Sequence, residues 1–293
     1  MSDKVIRCEL TKEIKVLNQL GEGVIWDARS ASIWWTDILS NRLYQWTFDD
    51  QLCVYDTPEA LCSFALTSQP DCFVAAFASG FAKFWPKTQR LEWICKVESH
   101  LPNNRLNDGR TDRHGRFWSG SLRMQGNADL GSLYCLSDNQ AVKHLDNIEI
   151  SNALCWSRDG KTIYHADTPS REIKKAAFDL NTGQISDWQL FVKTERDAFP
   201  DGACVDANDN LWNAQWGSSS VKCYSPIGQQ LISLTVPCKQ PTCVTFAGQN
   251  LDYLVVTSAC EGLTPLANKP SQDGNVFIYK TNMKGLAESI CAM

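Results

Sequence analysis

The chain has 293 residues, of which 43% are hydrophobic and 21% charged, with a net charge of −5. This is the composition of a folded globular protein with a sizeable core, not of a disordered one. No Lys/Arg block and no bilayer-length apolar run is present, which argues against a nucleic-acid-binding or membrane protein.

The opening segment, MSDKVIRCEL, lacks the apolar stretch of a signal peptide. The 13 cysteines are scattered singly, with no C-x-x-C pair. Neither a zinc knuckle nor a thioredoxin-type redox site is signalled, and free buried thiols in a cytoplasmic protein are the expectation.

Helical periodicity is absent. Short β-prone runs alternate instead with Asp/Asn/Gly turns. In chain order, Ile33-Trp34 follows DARSAS and precedes RLYQWTFD. Phe73-Val74 lies between SQPD and FAKFWPK, and Phe117-Trp118 between DRHG and GSLYCLSD. Ile163-Tyr164 lies between SRDGK and EIKKAAFD, Leu211-Trp212 between DANDN and SVKCYSP, and Leu254-Val255 between AGQNLD and NVFIYKT. Successive pairs are 40, 44, 46, 48 and 43 residues apart. Six repeats of that size, each with room for about four strands, predict an all-β, six-bladed β-propeller formed by residues 1–293 as one domain. One small sheet cannot bury both faces alone, whereas neighbouring blades cover each other and the ring protects its edges.

The stretch AFPDGACVDANDNLWNAQWG carries three aspartates, Asp201, Asp206 and Asp209. Asp206 and Asp209 occupy the same turn as Asp112 and Asp159 in other repeats, where Asx bonding and left-handed backbone are needed. DANDN lacks the glycine and the twelfth-position acid of a calcium loop, so both read as structural. Asp201 does not fit that turn and is read as preceding its strand.

Residues that enter the innermost strands meet at one end of a propeller channel. Those positions hold Glu22 in LGEGVIWD, Arg105, Asn107 and Asp108 in RLNDGRTD, and Asn152 in ISNALCWS. They also hold Asp201 in FPDGACVD and Thr242 in KQPTCVTF. Carboxylates with neutral oxygen donors suit a divalent cation such as Ca²⁺, Mg²⁺ or Mn²⁺, and the absence of sulfur and imidazole disfavours structural zinc. Singly, each residue has an ordinary surface or turn reading; their equivalent depth in the repeat is what joins them.

The motifs LGEGVIWD (20–27), RLNDGRTDRHGRFWSGSL (105–122), ISNALCWSRDGKTIYHADT (150–168), FPDGACVDANDNLWNAQWG (199–217) and PTCVTFAGQNLDYLVVTSA (241–259) are in one order along the chain. In them the chain resembles the SMP-30/gluconolactonase/luciferin-regenerating-enzyme family, and within it the bacterial sugar lactonases. The resemblance implies a six-bladed propeller with one catalytic divalent metal, be it Ca²⁺, Zn²⁺, Mn²⁺, Mg²⁺ or Fe(II). It implies that Glu22, Asn152 and Asp201 bind the metal and that Arg105 and Asn107 contact substrate. The chain departs from the family at Ala153, Val24 and Ala247, where the usual residues are glycine, proline and glycine; none of these changes removes a donor. The stretch RMQGNADLGSLY would shape the entrance to the site.

No G-x-S-x-G elbow or glycine-rich phosphate loop is present, and the cysteines lie in strands as small core residues. His165, in IYHADT, reads as a satisfied channel or core histidine rather than a base. The leading expectation is metal-dependent opening of a sugar lactone, with Asp201 as ligand and general base. The alternatives are a phosphotriesterase-like hydrolase, and a calcium-binding scaffold without turnover to which blade-top aromatics such as Trp216 would contribute.

Overall fold

A computed structural model describes residues 5–126, 129–264 and 272–293. Strand β1 (Cys8–Ile14) is followed by blade one, β2 (Gly21–Asp27), β3 (Ser32–Asp37), β4 (Arg42–Thr47) and β5 (Leu52–Asp56). Blade two is β6 (Leu61–Leu66), β7 (Phe73–Phe77), β8 (Gly80–Trp85) and β9 (Arg90–Lys96). Blade three is β10 (Asn104–Thr111), β11 (Phe117–Arg123), β12 (Gly131–Ser137) and β13 (Gln140–Ile148). Blade four is β14 (Ser151–Trp156), β15 (Thr162–Asp167), β16 (Glu172–Ala177) and β17 (Gln189–Lys193). Blade five is β18 (Phe199–Val205), β19 (Leu211–Trp216), β20 (Ser220–Tyr224) and β21 (Gln230–Thr235). Blade six takes β22 (Gln240–Ala247), β23 (Tyr253–Ala259) and β24 (Val276–Thr281) from the end of the chain and β1 from its beginning.

Each sheet has four antiparallel strands, and the first strands β2, β6, β10, β14, β18 and β22 touch in sequence round the ring. The protein is a six-bladed β-propeller, as the repeat predicts. All six aligned apolar pairs fall on the second strand of a blade, and the runs that follow them form the third.

Burial falls from the axis outward. Every residue of β2, β6, β14 and β22 is buried, while most of β5 and β21 is exposed. Second-strand tryptophans Trp34, Trp118 and Trp212 are fully buried between blades, where a large flat ring covers the most neighbouring surface. Two of them find a polar partner at the end of the preceding innermost strand: Trp118 Nε1 donates to Asp112 (2.9 Å) and Trp212 Nε1 to Asp206 (3.0 Å). Asp206 also accepts from the backbone of Asn208 and Asn210, and is wholly buried. It is therefore a structural hub of its turn, as the sequence suggests. Asp209, at φ 63°, sits in the left-handed slot of the same turn.

Beyond β24 the chain crosses one end of the channel. Ala207 N donates to Lys284 O (2.8 Å), Cys291 N to Leu66 O (2.7 Å) and Ala292 N to Gly115 O (2.9 Å), so this tail touches blades five, two and three in turn. Its Glu288 pairs with Arg110 of the channel wall (3.3 Å) and accepts from Thr245 Oγ1 (3.0 Å). All 13 cysteines are free, and nine are buried. Burial pushes the thiol of Cys155, on β14, up to about 12, so it is an inert core residue at neutral pH. Among the described residues no helix is long and apolar enough to cross a membrane.

Candidate active site

The innermost strands do not run regularly. Pairing with the second strand shifts between Glu22 and Ile25, Leu61 and Ser63, Leu106 and Gly109, Asn152 and Cys155, Pro200 and Ala203, and Pro241 and Val244. A bulge adds unpaired residues and re-aims a side chain. Six bulges at one level therefore form a ring of re-aimed positions near one mouth of the channel, opposite the tail. This corrects one expectation. Glu22, Asn107, Asn152 and Asp201 do not precede the innermost strands; they lie within β2, β10, β14 and β18, at the bulges. The residue after Glu22 is Gly23 at φ 59°, and after Asn152 it is Ala153 at φ 56°. Alanine thus takes in blade four the left-handed backbone that glycine takes in blade one.

Glu22, Arg105, Asn107, Asn152 and Asp201 all line one cavity of about 360 Å³. Phe199, Trp216, Pro169 and Ile150 supply its apolar wall, and Thr168 and Glu261 add polar groups. A larger groove of about 930 Å³ lies between blades one and six, near the tail; none of the five predicted residues lines it. Thr242 is not part of the site, because its hydroxyl donates to Gly21 O across the blade interface. Asp108 is buried beside the cavity, but its Oδ2 accepts from Leu154 N (2.9 Å). His165 hydrogen-bonds Ser151 Oγ (2.9 Å) and is 4% exposed, a satisfied core histidine. In the entrance stretch, Asn127 and Ala128 lie outside the described residues.

The direction of each amide in the site follows from partners that can act in only one sense. Asn107 Nδ2 donates to Ser151 O (2.9 Å), and Arg105 Nη1 donates to Asn107 Oδ1 (2.8 Å). A carbonyl only accepts and a guanidinium only donates, so Asn107 has one orientation. Its Nδ2 also reaches Asn152 Oδ1 (3.3 Å). Asn152 Nδ2 donates to Thr168 Oγ1 (2.9 Å).

The carboxyls are held under electrostatic stress. Burial, then repulsion from Asp108, pushes Glu22 up to about 8, although Gly23 N donates to its Oε2 (3.0 Å). Burial and repulsion from Glu22 and Asp108 raise Asp201 well above the usual carboxylate range, and the two carboxyls share a hydrogen bond. Asp108 is raised as well, chiefly by burial. A divalent cation would relieve this crowding of buried carboxyls, and two carboxyls with an amide oxygen could serve it as a hard donor set. Among the described residues no three His, Cys, Asp or Glu side chains gather to hold a metal; the neutral amide oxygens that line the same cavity are those of Asn107 and Asn152.

Residues 20–260 match the family described as the SMP-30/Gluconolactonase/LRE-like region. The chain belongs to this family. Among SMP-30/gluconolactonase relatives, L-arabinolactonase of Azospirillum brasilense is 35% identical over 279 residues, covering 92% of this chain and 91% of that one. Human regucalcin is 30% identical over 297 residues, with 98% of each chain covered. The crystal structure of regucalcin from Agrobacterium tumefaciens, described as a calcium-binding protein, superposes with a TM-score of 0.92 at 29% identity, covering 97% of this chain and 98% of that one.

Sequence reasoning named five of the seven polar residues of the cavity; it missed Thr168 and Glu261, and the apolar Phe199. Thr168 is the last residue of the fourth-blade motif, and its counterpart in blade one is the apolar Ile38, whose N donates to Leu20 O as Thr168 N donates to Ile150 O, so no polar residue recurred there to point to it.

Proposed function

We propose that this chain is a lactonase that opens a sugar lactone to the aldonic acid. The observation that carries the reading is the convergence of Glu22, Asn152, Asp201, Arg105 and Asn107 from four blades on one cavity. The names of the relatives, which include L-arabinolactonase, support it. Glu22, Asn152 Oδ1 and Asp201 would hold one divalent cation, which supplies Lewis acidity to the lactone carbonyl and acidity to water in the site. Calcium is the first ion to test, given the calcium-binding relative.

Asp201 carries the proton. Its carboxylate takes one from the attacking water as the new C–O bond forms and returns it to the ring oxygen as the old C–O bond breaks. The product is a hydroxy acid, with a free hydroxyl at the former ring oxygen and a carboxyl group that loses the second proton of the water to solvent. Arg105 and Asn107 bind ring hydroxyls and orient the carbonyl carbon toward the water. The guanidinium of Arg105 also suits the acid product. Phe199, Trp216 and Pro169 face the less polar side of the ring and exclude water.

The test is a panel of aldonolactones and phosphotriesters assayed with Ca²⁺, Mn²⁺, Mg²⁺ or Zn²⁺ and with chelator. Lactone hydrolysis that chelator abolishes is the expected result. In Asp201→Asn, turnover should fall by roughly 10²–10⁴ and recover only in part at high metal. Hydrolysis of phosphotriesters alone, metal binding without turnover, or full recovery of Asp201→Asn at high metal refutes the corresponding part of the reading.

A further inference from the structure

Thr168 opens the 3₁₀ turn Thr168–Ser170 that follows β15, and its backbone N donates to Ile150 O (3.0 Å). Its hydroxyl meets two groups: it donates to Pro200 O (2.9 Å) and accepts from Asn152 Nδ2 (2.9 Å). These senses are forced. A hydroxyl has one hydrogen, and a carbonyl oxygen can only accept, so the hydrogen lies on the Pro200 side. Only a lone pair is left for Asn152, and only the NH₂ end of an amide can meet it. Asn152 Oδ1 must therefore point the other way, where it accepts from Asn107 Nδ2 (3.3 Å) in the cavity that also holds Glu22 and Asp201.

From this geometry we infer that Thr168 is a positioning residue for the cation: its hydroxyl locks the Asn152 amide with the oxygen toward Glu22 and Asp201. The inference rests on the metal reading given above. Flipped, Asn152 would present N–H groups to a cation and to the NH₂ of Asn107, both repulsive. The same hydroxyl ties blade four to the carbonyl of Pro200, the residue before Asp201 and the last paired one before the β18 bulge. One side chain thus fixes a neutral donor from one blade against the backbone that carries the charged donor of the next. Groups behind a metal's ligands commonly govern affinity by 10–100-fold, because they decide which atom faces the ion.

The experiment is calorimetric titration of Ca²⁺ and Mn²⁺ into metal-stripped full-length protein, with thermal unfolding of each metal-free variant alongside. Thr168→Val keeps the shape and removes the hydroxyl; its dissociation constant should rise about 10–100-fold. Thr168→Ser, which restores the hydroxyl, should bind within about threefold of wild type. The deciding arm uses Asn152→Asp, whose side chain has an oxygen at both ends. In that background Thr168→Val should change the dissociation constant by no more than about threefold, because there is no amide left to orient. Equal weakening in both backgrounds would make Thr168 a structural tie between blades and overturn the inference. So would wild-type affinity in Thr168→Val. If wild type binds no divalent cation, both the inference and the metal reading fall; if wild type binds and only Thr168→Val is silent, the inference alone falls.

Discussion

Gly202, beside Asp201 at the bulge of β18, sets how closely blades five and six approach at the level of the site. A Cβ added there would lie 2.6 Å from Cys243 Sγ and 2.8 Å from both Cα and Cβ of Cys243. Ordinary contact begins near 3.4 Å, so β18 and β22 must part by the 0.6 Å between 2.8 and 3.4 Å. Overpacking of this kind costs about 1–3 kcal/mol. Alanine returns about 0.4–1 kcal/mol by restricting the unfolded chain, which leaves a net loss of about 1–2 kcal/mol for Gly202→Ala. A shift of about 1 Å at a reacting group costs about 10² in rate, so the displacement imposed on Asp201 should lower kcat/KM roughly tenfold or more. Cys243→Ala should not rescue it, because the Cα of residue 243 remains in the way. The control is Gly23→Ala. Its Cβ would meet nothing closer than 3.5 Å, and its φ of 59° is one that Ala153 already tolerates at 56°. The left-handed backbone costs about 1–2 kcal/mol, partly offset by the same unfolded-state term, and activity should stay within about threefold. Denaturant unfolding and metal-supplemented lactone hydrolysis read both quantities. Wild-type behaviour of Gly202→Ala, or greater damage from Gly23→Ala, would refute this account of the bulge.

Asp209→Asn should keep activity near wild type and cost at most about 1 kcal/mol, since asparagine also tolerates left-handed backbone. Asp206→Ala should cost about 2–3 kcal/mol in urea unfolding, because it strands the buried N–H groups of Asn210 and Trp212. Burial lowers the pKa of His165 to about 4, below the ordinary histidine value of 6.5. The unfolded chain thus takes the proton first. The stability that neutral His165 gives is full above about pH 6.5 and is lost as pH falls to about 4, and His165→Gln should flatten that part of the profile. Glu22, pushed up to about 8, must give up its proton to hold a cation, so metal affinity should fall as pH drops below about 8. In weakly buffered solution metal addition should acidify the medium; no proton release at pH 7 would count against Glu22 as a ligand.

The architecture was legible because a blade has its own sequence rhythm. Pairs such as Phe117-Trp118 and Leu211-Trp212 mark second strands, where a bulky ring is buried and an Asp at the preceding turn receives the indole N–H. Convergence of the site was legible by the same rhythm, since Glu22, Asn152 and Asp201 recur at one depth. Their place inside the strands was not, because a bulge is a backbone event with no fixed residue type: Gly23, Ala153 and Gly202 fill the slot. Thr168 was hidden because its role depends on Pro200, a residue of another blade. The assignment of β1 to blade six was hidden because its partner strand lies at the far end of the chain.

Strand β1 has a kinetic consequence for the site. Cys8 pairs with Thr281, so the contact that closes the ring spans 273 residues. Closing so long a loop costs about 3.5 kcal/mol more entropy than closing a five-residue hairpin. During synthesis blades one to five can each pair their strands locally, while β1 waits until β24 has been made. The polar side chains of the cavity come from blades one, three, four and five, so their convergence is expected to be complete when the ring is drawn shut. On the proposed function, cation loading would thus belong to the last stage of assembly.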